Sequence, residues 1–599
     1  MATENSTVPL LDEVSLSNVT TELATNRTIY EKLAGVPILL ANDMALLSLE
    51  FRILFVSIAC IYIASHAALC RPPSAKSLKK DKHKNKKKRV EDAEDEDHGG
   101  PIEGLVPSDA IRFPVLAGTM LIGLYYLIRW LEDPAILNKI MRVYFSSISI
   151  ASMNKLFADT LQLVIGFIFP SVWVDTQGTL YHVDSKKKGH WYTRSGTEDR
   201  VWDDKKKTPM PGFLSEIKLP DGVNTLLWSI HRLFVQQWNV RLVLHGIVDG
   251  MIKIKFSGIC GVVFSIVANV LYYTHASTFM SNVMGYAFAY TGIIMLSPTT
   301  FATGSSVLFG LFFYDIVMVF YTPYMVTVAT KLDVPIKLVF EGPQRSSMLG
   351  LGDIVVPGMF IALCLRFDHY MYYYRQRKLK EVELQTDDAS TGEVITTKRN
   401  RRMVVKPEYV SPKGQWGNRF WTTKLMKTFS PDATPAVRAS AFPRPYFYAA
   451  IVGYLFAMVV TVLVLLAFQH AQPALLYLVP GVVSAVWITG AVRGEIRQMW
   501  EYTEDGSLDK IDVIVEVDAE GHVIKEIEDD KDGEKDKQSD AQREKNNMKK
   551  SADRKTTEEN KTEKSADTSD GEPPTIKNEN EVEQTKYAFL LSVEMPGDD

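Results

Sequence analysis

Apolar runs of roughly 20 residues recur along the chain, and polar segments rich in charge separate them. A run of this length can cross the hydrocarbon core of a bilayer as a single helix. Nine runs qualify, and they cover residues 44–69, 113–131, 137–157, 256–273, 279–296, 301–320, 347–365, 446–468 and 475–492. The pattern therefore predicts an all-α polytopic membrane protein with nine transmembrane helices.

A further apolar piece covers residues 161–174. It is too short to span a bilayer, and it contains Pro170, which interrupts a helix. We expect this piece to lie at the membrane interface or to re-enter the bilayer.

Positive charge indicates how the chain is oriented. Residues 82–89 form a strongly basic run soon after the first span, and basic loops next to a span stay in the cytosol. The amino-terminal segment 1–43 is then predicted to be lumenal. It contains three acceptor sites for N-glycosylation, at Asn5, Asn18 and Asn26, which a lumenal location would make usable.

The other loops agree with this orientation. The predicted cytosolic loops 70–112, 175–255 and 366–445 and the tail 501–599 carry many Lys and Arg residues, whereas the predicted lumenal loops are short and poor in charge. Nine spans from a lumenal start place the carboxy terminus in the cytosol. The net charge of −4 gives no indication of nucleic-acid binding, and we predict none.

The polar segments carry weaker signals. Aromatic and polar residues alternate over 175–220, which suggests a small hairpin, while the basic insert 376–445 suits contact with anionic lipid headgroups. Composition favours a solvated linker for both. In the tail, residues 511–517 and 523–527 predict a hairpin, and the polar chain beyond Asp529 is predicted to be disordered.

Two acidic residues lie inside predicted spans. Asp315 is in span 301–320 and Asp353 is in span 347–365, and neither span contains a Lys or Arg before residue 366. An ionised carboxylate in the hydrocarbon region is costly unless it faces a wet cavity or a partner. We therefore predict that the two acids are partners and share one proton.

A pair of this kind can activate water. Two carboxylates about 3 Å apart cannot both ionise in a site of low dielectric constant. The ionised member can take a proton from water while the protonated member polarises a peptide carbonyl. Because the titration belongs to the pair, neither acid is assigned as the base. This chemistry requires no metal and no other cofactor, and we predict none.

Neighbouring residues suit such a site. Glycines just before Asp353 allow the backbone or a substrate to approach closely, and Pro357 weakens the helix beyond it. A non-helical entry to the last span could offer hydrogen-bond partners to an unwound substrate. The predicted active-site and substrate-binding residues are Tyr314, Gly350, Leu351, Gly352, Gln472, Pro473, Ala474 and Leu475.

Two other functions would use the same features. Buried acids also mark ion pathways, so a proton or cation channel or transporter is one alternative. A protein that binds membrane helices without cutting them is another. A metalloprotease is not favoured, because the sequence contains no His-Glu-x-x-His string.

Three segments carry a family resemblance: FYD at 313–315, MLGLGDIVVPGMFIALCLRFD at 348–368 and HAQPALLYLVP at 470–480. They closely resemble the signal peptide peptidases, which are presenilin-related intramembrane aspartic proteases of the GxGD type. The resemblance covers roughly residues 44–502. It implies that Asp315 and Asp353 are the catalytic pair and that residues 473–475 form the active-site loop.

The resemblance also implies a presenilin-like fold, residence in the endoplasmic reticulum membrane, and substrates that are signal-peptide remnants and other type II membrane helices. It is also compatible with a homo-oligomer and with binding to quality-control proteins of the endoplasmic reticulum. The chain departs from the family in its long loops and in its tail, which lacks a terminal dilysine signal. The predicted regions are a lumenal segment (1–43), helices one to five (44–300), catalytic helices six to nine (301–500) and a cytosolic tail (501–599).

Overall fold

The structure is a computed structural model, and it describes most of the helical part of the chain. The described residues are 44–75, 103–131, 134–193, 200–244, 248–275, 277–332, 334–342, 346–381, 384–387, 394–397, 401–424, 428–429, 434–468, 472–504, 514–517, 523–527 and 589–594. The predicted glycosylation sites Asn5, Asn18 and Asn26 and the basic run 82–89 lie outside these ranges.

Helices dominate the described part of the chain. They are α1 (Met44–Ala67), α2 (Asp109–Leu131), α3 (Pro134–Ile168), α4 (Asp221–Val235), α5 (Phe256–His275), α6 (Thr278–Met295), α7 (Phe301–Phe320), α8 (Tyr324–Lys331), α9 (Gly352–Tyr374), α10 (Trp416–Thr422), α11 (Pro435–Ala439), α12 (Pro445–Phe468), α13 (Leu475–Arg493) and α14 (Ile496–Glu501).

Seven helices of the described residues are long and apolar enough to cross a membrane: α1, α2, α5, α7, α9, α12 and α13. This confirms a polytopic, mainly helical membrane protein. The helices α3 and α6 coincide with two further predicted spans but contain more polar residues. Nine membrane crossings therefore stay a prediction.

The helix α3 corrects one prediction. It continues for 35 residues from Pro134 to Ile168, so residues 161–168 are its last turns and not a separate interfacial or re-entrant piece. At about 1.5 Å per residue it is about 52 Å long, well beyond the roughly 30 Å of hydrocarbon in a bilayer. Pro170 follows the helix instead of interrupting it.

The core is built around α9. In its most apolar stretch 89% of the residues are buried, and it packs against α1, α7, α12 and α13. The predicted span 347–365 is wrong at both ends, since the helix begins at Gly352 and continues to Tyr374. Its polar end is tolerated because Arg366 pairs with Glu504 (2.5 Å) and Asp368 accepts the backbone N–H of Phe447 (2.9 Å).

Short strands lie between the helices. They are β1 (Glu103–Leu105), β2 (Val172–Val174), β3 (Leu180–Asp184), β4 (Gly189–Thr193), β5 (Arg200–Asp203), β6 (Gln237–Leu244), β7 (Val248–Lys255), β8 (Leu296–Pro298), β9 (Lys337–Glu341), β10 (Ser346–Gly350), β11 (Lys378–Glu381), β12 (Leu384–Asp387), β13 (Val394–Thr397), β14 (Arg401–Val405), β15 (Thr423–Lys424), β16 (Thr428–Phe429), β17 (Ile514–Val517), β18 (Val523–Ile527) and β19 (Phe589–Glu594).

The strands β2 to β5 form a four-stranded antiparallel sheet directly after α3. Trp173 is fully buried in it, and its ring stacks on Tyr181 with the centroids 4.9 Å apart. The solvated-linker interpretation of 175–220 is therefore wrong, and the hairpin signal was the better guide because the alternating aromatic residues have a face to bury.

Residue contacts divide the chain into two units. The first comprises Met1–Gln237, Ile254–Arg375 and Glu408–Asp509, and it contains the membrane helices. The second comprises Trp238–Lys253, Gln376–Pro407 and Lys510–Asp599.

The second unit is made of strands among its described residues. One sheet has the order β11-β14-β17-β18, and another has the order β19-β6-β7. The pairing of β17 with β18 confirms the predicted tail hairpin. The prediction of disorder beyond Asp529 is wrong for β19, whose apolar residues pair with β6; the other residues beyond Asp529 lie outside the described ranges.

Candidate active site

The two acids predicted from the sequence lie on adjacent helices. Asp315 is on α7 and is 4% exposed, while Asp353 is the second residue of α9. The two carboxyl groups are close enough to interact electrostatically. Within the described part of the chain, neither has a Lys, Arg or His at ion-pairing distance. The pair is therefore a concentrated acidic site in an apolar bundle.

The entry to α13 contacts the first acid. Pro473 and Ala474 form a turn before the helix begins at Leu475, whose backbone N–H donates to Asp315 Oδ2 (3.1 Å). The first N–H groups of a helix have no internal partner and carry a partial positive charge, so they suit a carboxylate. The segment therefore lies beside the first acid, and a contact of Gln472, Pro473, Ala474 and Leu475 with substrate remains a prediction.

The residues before the second acid fix its position. The backbone of Gly350 hydrogen-bonds the Asp353 carboxylate, and a Cβ added at Gly350 would lie 3.3 Å from Asp353 Oδ2. A Cβ at Gly352 would meet no atom within 4 Å. Leu351 donates its N–H to the Ile336 carbonyl (3.0 Å), and its side chain packs near Gly285 of α6. Of the two glycines, only Gly350 has another atom within 4 Å of the position that a Cβ would take.

Tyr454 was missed by the sequence reasoning. Pro357 has no N–H, so the carbonyl oxygen of Asp353, four residues earlier, lacks its helical partner. The hydroxyl of Tyr454 on α12 donates to this oxygen (3.3 Å). Tyr454 therefore compensates for Pro357 and holds the backbone of Asp353. The proline four residues after Asp353 indicates a carbonyl oxygen without its helical partner. The sequence does not show which side chain donates to that oxygen.

Tyr314 lies beside the first acid. A Cβ at Gly118 of α2 would lie 3.7 Å from the Tyr314 ring, so the ring packs against that helix. Tyr314 still interacts electrostatically with Asp315. Its predicted contact with substrate remains a prediction.

A β-hairpin was also missed. The strands β9 and β10 pair antiparallel, and β10 ends directly before α9. Val339 of β9 donates its N–H to Asn282 Oδ1 (2.9 Å) and accepts from Asn282 Nδ2 (2.7 Å), so these groups point away from β10. Its opposite residue, Met348, is then in a pair without mutual hydrogen bonds, and the N–H and C=O of Met348 point outward from β10.

The hairpin thus has one covered edge and one free edge. Asn282 covers β9, whereas β10 has β9 as its one strand partner among the described residues. The free edge of β10 runs past Met348 and Gly350 to Asp353. Such an edge can accept an additional extended strand.

The apolar helices and the acidic pair between them define the class as a polytopic membrane protein with a candidate acid–base site. Residues 98–506 match the family model described as signal peptide peptidase. The chain belongs to this family, which confirms the resemblance read from the motifs.

Relatives agree with the family model. The chain is 31% identical to the signal peptide peptidase of Mus musculus over 253 residues, which are 41% of this chain and 49% of the relative. It is 32% identical to intramembrane protease 2 of Caenorhabditis elegans over 240 residues, 38% and 39% of the two chains. It is 30% identical to a probable intramembrane protease of Schizosaccharomyces pombe over 259 residues, 42% and 67% of the two chains. The matched region spans about half of the length of the mouse relative.

Proposed function

We propose that the chain is an intramembrane aspartic endopeptidase and that Asp315 and Asp353 are its catalytic pair. The single observation that carries the proposal is the approach of two carboxyl groups on adjacent helices, that of the buried Asp315 and that of the half-buried Asp353, with no cation of the described residues paired to either. Two such groups retain one proton between them, which provides an acid and a base at the same site.

The reaction follows from this shared proton. The ionised carboxylate removes a proton from a water molecule, and the resulting hydroxide attacks the carbonyl carbon of the scissile peptide. The protonated carboxyl donates its proton to the carbonyl oxygen, giving a tetrahedral diol. When the C–N bond breaks, the protonated carboxyl passes its proton to the leaving nitrogen, and the other carboxylate takes a hydroxyl proton from the diol, which collapses to a carboxylic acid. One water is consumed, and the pair is returned with one proton.

A substrate helix must unwind before its peptide bonds are accessible, and its freed backbone groups then need partners. The outward N–H and C=O of Met348 on the free edge of β10 can provide them by strand addition. A strand added there would continue past Gly350 towards Asp353. The absence of a side chain at residue 350 leaves room for it beside the carboxylate.

The substrates that we propose are transmembrane helices of type II orientation, chiefly signal-peptide remnants. Family membership and the motif match over 348–368 support this choice. We further propose residence in the endoplasmic reticulum membrane with the amino terminus in the lumen and the carboxy terminus in the cytosol, consistent with the charge of the loops.

The test is cleavage by the purified full-length chain in proteoliposomes. The substrate is a type II helix, and the same helix inserted in the opposite orientation serves as its control. We expect wild type to cut only the first, and Asp315→Ala and Asp353→Ala each to abolish cleavage. The matched control is Asp204→Ala, which removes an exposed carboxylate from the loop after β5. Cleavage retained in either catalytic variant would refute the proposal, and acid-dependent ion flux without cleavage would favour a channel or transporter.

A further inference from the structure

A large cavity lies apart from the acidic pair, within the first unit. Its volume is about 570 Å³, and its walls come from α1, α3, α6 and the segments around α10 and α12. It lies at the carboxyl ends of α1 and α6 and the amino ends of α5 and α12. Because these helices alternate in direction, all four ends are at one membrane face, which the predicted orientation makes the cytosolic face.

The lining of the cavity is strongly positive. Five Lys and Arg side chains line it and face one carboxylate, that of Asp159; the five are Lys155, Lys255, Lys413, Arg419 and Arg444. Asp159 is already engaged, because it pairs with Lys155 (3.0 Å) and accepts the hydroxyl of Tyr290 (2.7 Å). Asp159 is the one carboxylate among the residues that line the cavity, so the lining carries more positive than negative charge.

Arg444 shows the imbalance most clearly. It is 8% exposed, and it contacts the ring of His66 (2.7 Å), the carbonyl oxygen of Ser440 (2.7 Å) and the hydroxyl of Tyr448, none of which is an anion. Its Nε is buried without a hydrogen-bond partner. Burial, followed by the charge of Arg419, lowers the pKa of Arg444. Asp368 acts on Arg444 electrostatically, but no described hydrogen-bond partner of the guanidinium is an anion. An anion bound in the cavity would therefore offset the cost of burying this cation.

Arg419 brings a second guanidinium to the same place. It donates to the same carbonyl oxygen of Ser440 (3.2 Å). Burial likewise lowers the pKa of Lys255 at the entrance to α5, although Asp159 opposes this shift. Several positively charged side chains that repel one another are thus held around one cavity.

The wall that carries Arg419 is fixed in place. The short helix α10 docks on the end of α3, where Trp421 Nε1 donates to the carbonyl oxygen of Phe167 (2.9 Å) and Asn418 Nδ2 donates to Ser171 Oγ (2.9 Å). A Cβ at Gly417 would clash with the carbonyl oxygen of Gly166, so the two helices touch through their backbones. The cationic groups are therefore held by packed structure and not by a loose loop.

We propose that this cavity binds the phosphate headgroup of an anionic phospholipid. Guanidinium groups match phosphate oxygens in a bidentate manner, and basic pockets between transmembrane helices at the cytosolic face suit phosphorylated headgroups. Apolar residues share the lining, and one of them, Ile63, is 47% exposed on α1. This apolar side, where acyl chains can lie, favours a lipid over a soluble phosphate compound. The inference does not depend on proteolysis.

The test measures lipid binding to the full-length chain in detergent by native mass spectrometry. The probes are dioctanoyl phosphatidylinositol 4-phosphate, dioctanoyl phosphatidylcholine and the soluble headgroup inositol 1,4-bisphosphate. We expect wild type to retain one molecule of the anionic lipid, and to bind the other two probes about tenfold more weakly.

Arg419→Gln and Lys413→Gln carry the test, because both side chains are only partly buried and their loss leaves the core intact. Each is expected to weaken binding of the anionic lipid about tenfold. Lys218→Gln removes one positive charge from an exposed position outside the cavity and should bind as wild type does. Wild-type affinity in both cavity variants would overturn the proposal. Equal binding of phosphatidylcholine would overturn the requirement for an anionic lipid, and equal binding of the soluble bisphosphate would overturn the lipid as the source.

Discussion

Replacing Gly350 by alanine tests how closely hydrolysis depends on the turn before Asp353. The added Cβ would lie 3.3 Å from Asp353 Oδ2 and 3.9 Å from its Cγ, so the carboxyl group must shift by a few tenths of an ångström. A misplacement of about 1 Å can lower an enzymatic rate by about a hundredfold. For this smaller shift we expect kcat to fall about tenfold, which corresponds to about 1.4 kcal/mol in the activation free energy.

Gly352→Ala is the matched control, because its Cβ meets no atom within 4 Å and alanine favours a helix over glycine. It should keep kcat and should not lower the thermal midpoint. The assay follows a quenched fluorescent peptide, derived from a type II helix, with the purified full-length chain in detergent micelles. Unchanged kcat in Gly350→Ala would refute the steric argument, as would an equal loss in both variants.

Three further predictions follow from the geometry. Met348→Pro removes the outward N–H of β10 without removing a hydrogen bond to β9, so kcat/KM for the same peptide should fall about tenfold. Met348→Ala keeps this N–H and should have a kcat/KM near that of wild type. Equal kcat/KM values for the two variants would exclude strand addition at this edge. Tyr454→Phe leaves the Asp353 carbonyl oxygen without its hydrogen-bond donor, so kcat should fall and the free energy of unfolding should fall by about 1 kcal/mol. No change in either quantity would contradict the positioning role of Tyr454. Burial lowers the pKa of His231 to about 4. The stability that the neutral imidazole gives to the packing of α4 is therefore complete above pH 6.5 and is lost as the pH falls towards 4. Hydrogen exchange of the α4 amides, corrected for the intrinsic exchange rate, should become faster over this pH range in wild type and should not depend on pH in His231→Gln.

Much of the membrane part could be predicted from the sequence because apolar runs report directly on burial in lipid or in a bundle. Each predicted span overlaps a helix of at least 18 residues in the described ranges. The two acids were found for the same reason, since a carboxylate without a nearby cation is conspicuous in an apolar run. The structure then places Asp315 and Asp353 on helices that pack together.

The features that were missed depend on partners distant in sequence. The polar end of α9 appeared unsuitable for a buried helix until Glu504 and the first turn of α12 supplied partners for Arg366 and Asp368. The strand β10 was predicted to be the start of a span because Met348 and Leu349 are apolar, and its partner β9 was predicted to be part of a loop. Hydropathy alone cannot separate a short apolar strand from the first turn of a span.

The most direct test of the paired-acid site is covalent capture by an aspartyl transition-state analogue that carries a photoreactive group. The full-length wild-type chain in membranes should be labelled, and the unlabelled analogue should compete for the same site. Asp315→Ala and Asp353→Ala should each abolish labelling, because the analogue binds to the two carboxyl groups together, whereas Asp204→Ala should be labelled as wild type is. Labelling that persists in either catalytic variant would contradict a site built from both acids.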